Sequence, residues 1–597
     1  GLFVAGEELA KQRDYASALT KFLACLEKEP GHVRALTRVA EIYFRRAEYL
    51  KALDHAREAL AIDAYDAAAN FIYGVINRRL GNYADAKDGF GWAARSLESR
   101  SAAYEQLAEL NFLEKKFERA AEYAARSLDY NAYNLEARQI QAVMFRLADD
   151  KNAAEKALDK IAEIDPLSHF VRCERYLLNP SPAAQEAFVS LIRNELPHET
   201  YLELGINYVG LGREEDAQKV LELAPSHPAV NYWLAYLNRE QNSEQSRQYL
   251  ARAVEASPQL VFPHRAETIP VLRWAAARLE NWKTTYYLGL ILWNIGKVDE
   301  AKDIFSRLAD RPDWGPFYLA RIKLLGGEVA GEKVLADIQK AIRLDKADWR
   351  AWRAQTAFYE RSGEFDLALQ SARTIYRRYP DKPALEMDYS KALLYSGKYG
   401  DCLKILEKTT VLPYEGAWEG RDLYRQANLL SAAEALSKGK ARRAVFHAEK
   451  AALWPESLGV GKPYDVDERL EDYLKAAAYE KMGEGAKAKD HYEAVAAATG
   501  KFKTSWDSVN LMGVFSLRKL GKEEEAVRLL DEWGWRRGQD DPVFAWASAK
   551  YHGDEAKAKA VLAKVRQTPA GPSWDMGTGD RHFPLILVIL REAPRPK

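Results

Sequence analysis

Hydrophobic positions over residues 1–166 follow two nested periods. The short one is helical: apolar side chains form a stripe along each segment and polar residues fill the remaining face. The long one is 34 residues. An aromatic stands at Tyr15, Tyr49, Tyr83 and Phe117, and a small residue follows three positions later at Ala18, Ala52, Ala86 and Ala120. A fifth copy keeps the phase with Ala154, although Lys151 takes the aromatic position, and Pro30 and Pro166 bracket the series. This spacing predicts helical hairpins. The small residue lets two helices approach, the aromatic fills the gap toward the next hairpin, and Pro ends the second helix because it cannot continue it. No hairpin buries its stripe alone, so neighbouring copies must stack to build a core.

Beyond residue 166 the pattern thins without disappearing. Residues 167–283 read as degenerate repeats with an insert at 259–282, and 284–415 as regular repeats. Residues 416–565 read as irregular repeats with a loop at 453–470, and 566–597 as a linker and tail. Three breaks interrupt the stacking: QLVFPHRAETIPVLRWAAARLENW, LPYEGAWEGRDLYRQANLL and LWPESLGVGKPYDVDERLEDY. Breaks in a stack of repeats are usually loops on one face, and such loops often bind. In the tail, RHFPLILVILREA is apolar all round and β-prone, so a buried strand or a short terminal helix is expected there, the strand favoured and able to add to the sheet of a neighbouring domain.

The regular copies resemble the tetratricopeptide repeat, with small first-helix residues at Gly6, Ala40, Gly74 and Ala108 and second-helix aromatics at Phe22 and Phe90. The resemblance implies an all-α chain: a right-handed tetratricopeptide-type α–α superhelical solenoid with a short β-prone C-terminal tail. Some tetratricopeptide domains clamp a peptide carboxylate with Lys, Asn and Arg on three consecutive repeats. The matching positions here hold Thr37 and Glu41, Ile72, then Ala102 and Gln106, so that clamp is absent. The opening LFVAGEEL together with VFPHRAETIPVLRWA, EGAWEGRDLYRQANLL and WPESLGVGKPYDVDERLEDYL is similar to a bacterial family whose repeat half follows an N-terminal mutarotase-like β-sandwich domain of unknown function. That similarity implies a neighbouring domain before this segment and a link to carbohydrate chemistry.

Composition fits a helical stack: 597 residues, 47% hydrophobic, with only 23 Pro. Basic and acidic residues balance at 87 each, which argues against nucleic acid, because phosphate affinity comes from a Lys/Arg excess. Cys25, Cys173 and Cys402 are too scattered for a disulfide framework or a paired metal spacing, and their scarcity suits a reducing, cytoplasmic setting. No apolar run reaches membrane-spanning length, and the start has no leader-like pattern. Phosphate-loop, zinc-protease and nucleophile-elbow motifs are missing, and GVGK at 459–462 lacks the glycine spacing and the Ser/Thr of a phosphate loop. No metal and no cofactor are expected.

Candidate binding residues therefore come from the breaks and the repeat faces. The breaks gather Arg265 and Glu267, then Trp418, Glu419 and Arg421, then Trp454, Tyr464, Asp465 and Asp467. Aromatics stack on sugar rings and paired carboxylates serve glycosidic chemistry. Helix capping and mutual ion pairing account for the same residues, Asp467 being placed to cap the helix that follows. Groove candidates on first helices are Arg38, Phe71, Arg78, Glu105 and Glu109. The expected role is a protein-interaction scaffold, not an enzyme, holding a partner protein or an adjacent β-sandwich domain. A glycan bound by the break loops is the alternative.

Overall fold

The computed structural model describes residues 1–502, 506–567 and 579–590. Among them the chain is all-α, with 34 α-helices, two short 3-10 turns and no strand. It forms two compact units, residues 1–313 and 314–597, each built from antiparallel helical hairpins that pack in chain order.

In the first unit the 34-residue phase becomes geometry. Second helices begin at Tyr15, Tyr49, Tyr83, Phe117 and Lys151. The turn just before each carries one residue with positive φ, at Arg13, Ala47, Gly81, Lys115 and Asp149. Four of these five are not glycine and take the left-handed conformation at about 1–2 kcal/mol each, which the packing of the two helices offsets. Side chains cap many of the helices: Asp14 accepts from Ser17 N, Asp66 from Ala69 N, Asn134 from Ala137 N and Asp150 from Ala153 N.

The small first-helix residue has a partner sixteen positions on. A Cβ added to Gly6 would stand 2.5 Å from the Phe22 ring, and one added to Gly74 would stand 2.7 Å from the Phe90 ring. Gly205 is matched in the same way to Leu221, and Gly289 to Phe305. Where the first-helix residue is alanine, at Ala40 and Ala108, the residue sixteen on is Ala56 or Ala124, and all four are fully buried. Glycine faces a large side chain and alanine faces alanine, so a ring is admitted only where the first helix gives up its methyl group.

The second unit shares one continuous apolar core from Leu369 to Leu587. Its last described element takes the helical alternative and corrects the favoured strand: Phe583–Ile589 is a helix. Phe583, Leu585, Ile586 and Leu587 are buried, and the Phe583 ring meets Trp546 edge-on at 5.1 Å. The segment packs on the helix Glu419–Ser437. A strand here would have no sheet to satisfy its N–H and C=O groups, whereas a helix satisfies most of its own and can be apolar all round when buried. Because this unit's own helices cover it, the tail is not a free strand for another domain. Of the linker PAGPSWDMGTGD, all but Gly579 and Asp580 lies outside the described residues.

Candidate functional site

First helices of successive hairpins share a face in each unit, and their charged side chains pair across it. Arg38 bonds Glu7 at 2.8 and 3.2 Å and Glu41 at 2.8 Å. Arg78 pairs with Glu109 and donates to Gln106 Oε1 at 2.6 Å, while the Gln106 amide donates to both oxygens of Glu105. Arg146 bridges Glu174 at 2.7 and 3.1 Å and Asp216 at 2.9 Å. In the second unit Arg353 bonds Asp388 at 2.5 Å and Arg425 bonds Glu471 at 2.5 and 2.7 Å. Four of the five groove candidates are thus engaged in this polar ladder. The fifth, Phe71, packs edge-on against Phe90 at 5.5 Å.

The ladder is locally acidic. Burial first, and the neighbouring Glu109 second, push the Glu105 carboxyl up to about 8. Glu109 is also raised, by burial, against the pull of Arg78.

A cleft of about 790 Å³ opens within the first unit, inside the ordinary ~300–1,000 Å³ range of ligand sites. One wall comes from early repeats and presents Tyr49, Arg78, Arg79 and Glu109. The opposite wall comes from the helices Pro197–Gly210, Pro228–Leu237 and Ile269–Ala276 and the 3-10 turn Ala266–Thr268, with Asn207, Tyr236, Glu267 and Arg273 among its lining residues. The walls meet at their rims. Arg46 lies against the turn at Gly296, and Leu113 against the turn at Gly212. Glu267, from the first break, is exposed on this cleft, whereas Arg265 turns away to bond Glu199 at 3.1 and 3.2 Å.

The other two breaks converge inside the second unit. Val411 N donates to Ser457 O at 2.8 Å, and the Trp418 and Trp454 rings stand perpendicular with centroids 5.8 Å apart. Arg421 is buried with its guanidinium carbon 4.3 Å over the Trp454 ring, and it donates to Ala451 O at 2.8 Å. Its Nε and the Trp454 Nε1 are buried and find no acceptor among the described residues. Burial, then the neighbouring Arg425, push the Arg421 guanidinium down to about 10. Leu412, Tyr414 and Tyr464 are exposed around this junction. Asp465 and Asp467 do not join the two indoles: Asp465 bonds Lys501 at 2.6 Å, and Asp467, one residue before the N-cap Glu468 and so not the cap expected of it, accepts from Arg469 N and grips the Arg469 guanidinium at 2.8 and 2.6 Å. Glu419 begins the helix Glu419–Ser437 and, after Asp388, adds to the burial that raises Glu360.

Sequence reasoning missed Arg79, Asn207, Tyr236 and Arg273. Asn207 and Tyr236 lie in the degenerate repeats, where no register remained to say which residues face inward. The density of Trp and Tyr at 232–236 and 274 was the available signal. Among the described residues no group of three or more His, Cys, Asp or Glu is placed to hold a metal ion, and no helix is long and apolar enough to cross a membrane.

The fold and the stacked hairpins define a helical-repeat protein, and its repeats are of a known type. Residues 3–67 and 285–313 each match a family model of the tetratricopeptide repeat. No curated protein matches the chain. Among solved structures it is similar to pilF of Pseudomonas aeruginosa, at 20% identity over 36% of this chain and 95% of that one, with a TM-score of 0.30. YrrB, described as a TPR protein with an unusual peptide-binding site, is 16% identical over 38% of this chain and 96% of its own, with a TM-score of 0.23. The APC/C hetero-tetramer Cut9–Hcn1 supplies a chain 13% identical over 94% of this one and 95% of its own, with a TM-score of 0.23.

Proposed function

We propose that this chain is a protein-interaction scaffold whose first unit holds an extended segment of a partner protein. The cleft is the observation that carries this reading. Its walls offer guanidinium, carboxylate, amide and phenol groups on a rigid helical frame, the mixture that satisfies a peptide backbone and selects a few side chains. A neighbouring β-sandwich domain is one source of such a segment. The test is selection of a displayed random-peptide library on the full chain, followed by anisotropy titration of the selected peptides. Arg79→Glu and Glu267→Arg change exposed cleft side chains and are expected to weaken binding tenfold or more. Phe446→Ala, on an exposed residue of the second unit, is expected to leave binding unchanged. Selected peptides that bind both cleft variants as tightly as wild type would sink the reading.

A second reading rests on the junction of Trp418, Trp454 and Arg421, where an indole is partly exposed beside two buried donors without acceptors. Such a surface suits a glycan, with C–H faces on the indole and hydroxyls toward the N–H groups. The full chain on a glycan array is expected to retain a saccharide, and Trp418→Ala to lose it. An empty array ends this reading and leaves the first intact.

A further inference from the structure

Two helices that line the cleft, Pro197–Gly210 and Pro228–Leu237, begin side by side at histidines. His198 is the second residue of one helix and His227 is the N-cap of the other. Their imidazoles stack with ring centroids 3.5 Å apart and planes 12° from parallel. His198 is 7% exposed, and the Nε2 of His227 is buried. The His227 Nδ1 accepts the N–H of Ala229 at 3.3 Å, which makes it the side-chain cap of its helix. The backbone of Leu260, itself at positive φ, lies beside the His227 ring. From there the first break runs directly into the cleft residues Ala266–Val271.

This arrangement works only while both rings are neutral. A proton on Nδ1 of His227 would turn the cap acceptor into a donor facing another donor. Each ring sits at the positive end of a helix dipole, where a cation is disfavoured. Two stacked imidazolium rings at this separation also repel each other. The charged group facing the pair from the helix Pro197–Gly210 is Glu199, whose Oε1 is 3.5 Å from His198 Nε2. From the loop come Arg265, which bonds Glu199 Oε2 at 3.1 Å, and His264, whose Nε2 is 3.9 Å from that oxygen. Glu199 therefore favours a proton on His198 but is already held by Arg265.

We propose that the His198–His227 stack is an acid-sensitive latch: protonation separates the two helix starts and loosens the wall of the cleft formed by residues 260–276. Burial first, then His198, push the His227 ring down to about 4 against the pull of the Leu260 backbone, and burial lowers His198 while Glu199 opposes it. Both shifts favour the neutral folded form. The stability they carry is whole above the ordinary value of 6.5 and is lost as pH falls from 6.5 toward 4.

Hydrogen exchange on the full chain at pH 7.5 and 5.0, corrected for intrinsic exchange rates, tests this without a ligand, so the latch and the binding reading fail separately. At the lower pH, amides of residues 228–237 and 260–276 are expected to exchange at least tenfold faster, while those of 15–62 hold. His227→Asn keeps an uncharged cap and is expected to remove the pH response. Unchanged wild-type exchange, a loss spread evenly over the unit, or an equal response in His227→Asn would each overturn the latch. Should that variant fold poorly, imidazole titration of the wild type by NMR decides instead: depressed midpoints for both rings support the latch, and midpoints at the ordinary value overturn it.

Discussion

Phe90→Ala is expected to destabilise its hairpin by about 3–5 kcal/mol, the usual loss for a fully buried aromatic whose cavity does not collapse. Gly74→Ala alone is expected to destabilise by about 1–3 kcal/mol, because the new methyl meets the Phe90 ring at 2.7 Å. That loss exceeds the roughly 1 kcal/mol which alanine gains over glycine in a helix interior. The double variant should lose less than the two singles added together, by at least about 1 kcal/mol, because it recreates the Ala40–Ala56 crossing of the preceding hairpin. A chain of two units need not unfold in one step. The local measure is native-state exchange of amides in Ala67–Leu80 and Tyr83–Ala93. Strict additivity would mean that the crossing volumes are not coupled and that the sixteen-residue pairing is coincidence.

The same pairing shows what the sequence made legible. Tyr15, Tyr49, Tyr83 and Phe117 mark helix starts because their phase repeats without interruption, and local rules then suffice: a cap, a small residue, a proline. The alternation of Gly–Phe with Ala–Ala stands in the sequence too, yet it emerges only when positions sixteen apart are compared. The tail misled because LILVIL shows no period, and its state depends on what covers it. Propensity favours a strand there, and the surrounding helices favour a helix. The cleft was the least legible feature. Its walls lie roughly a hundred residues or more apart in sequence, joining Arg79 to Tyr236 and Glu109 to Asn207 across a stretch where the repeat markers fail.

What holds that unmarked stretch to the regular repeats is polar, and its removal carries the other large effect. Arg146 stands in the last turn of Leu135–Leu147, the first helix of the last regular hairpin before residue 166. It reaches Glu174 in His169–Leu178 and Asp216 in Glu214–Glu222, and Tyr208 adds a bond to Glu174 at 2.7 Å. Both carboxylates are almost wholly buried. Burial alone would raise Asp216, yet Arg146 and Arg213 together hold it below its ordinary range. Arg146→Met is expected to destabilise the first unit by about 3–5 kcal/mol at pH 8, since it strands a buried carboxylate. Asp216 keeps Arg213 at 2.9 Å, so Glu174 carries most of the loss. Protonation relieves a buried carboxylate left without its cation, so the deficit should shrink as pH falls toward 5. Arg146→Met/Glu174→Gln should recover more than half of the stability at pH 8, because a neutral amide still accepts from Tyr208. Thermal unfolding of the three chains at pH 5 and 8 measures this. A single variant that loses as much at pH 5 as at pH 8, with no recovery in the double, would assign Arg146 a packing role through its aliphatic stem and not an electrostatic one.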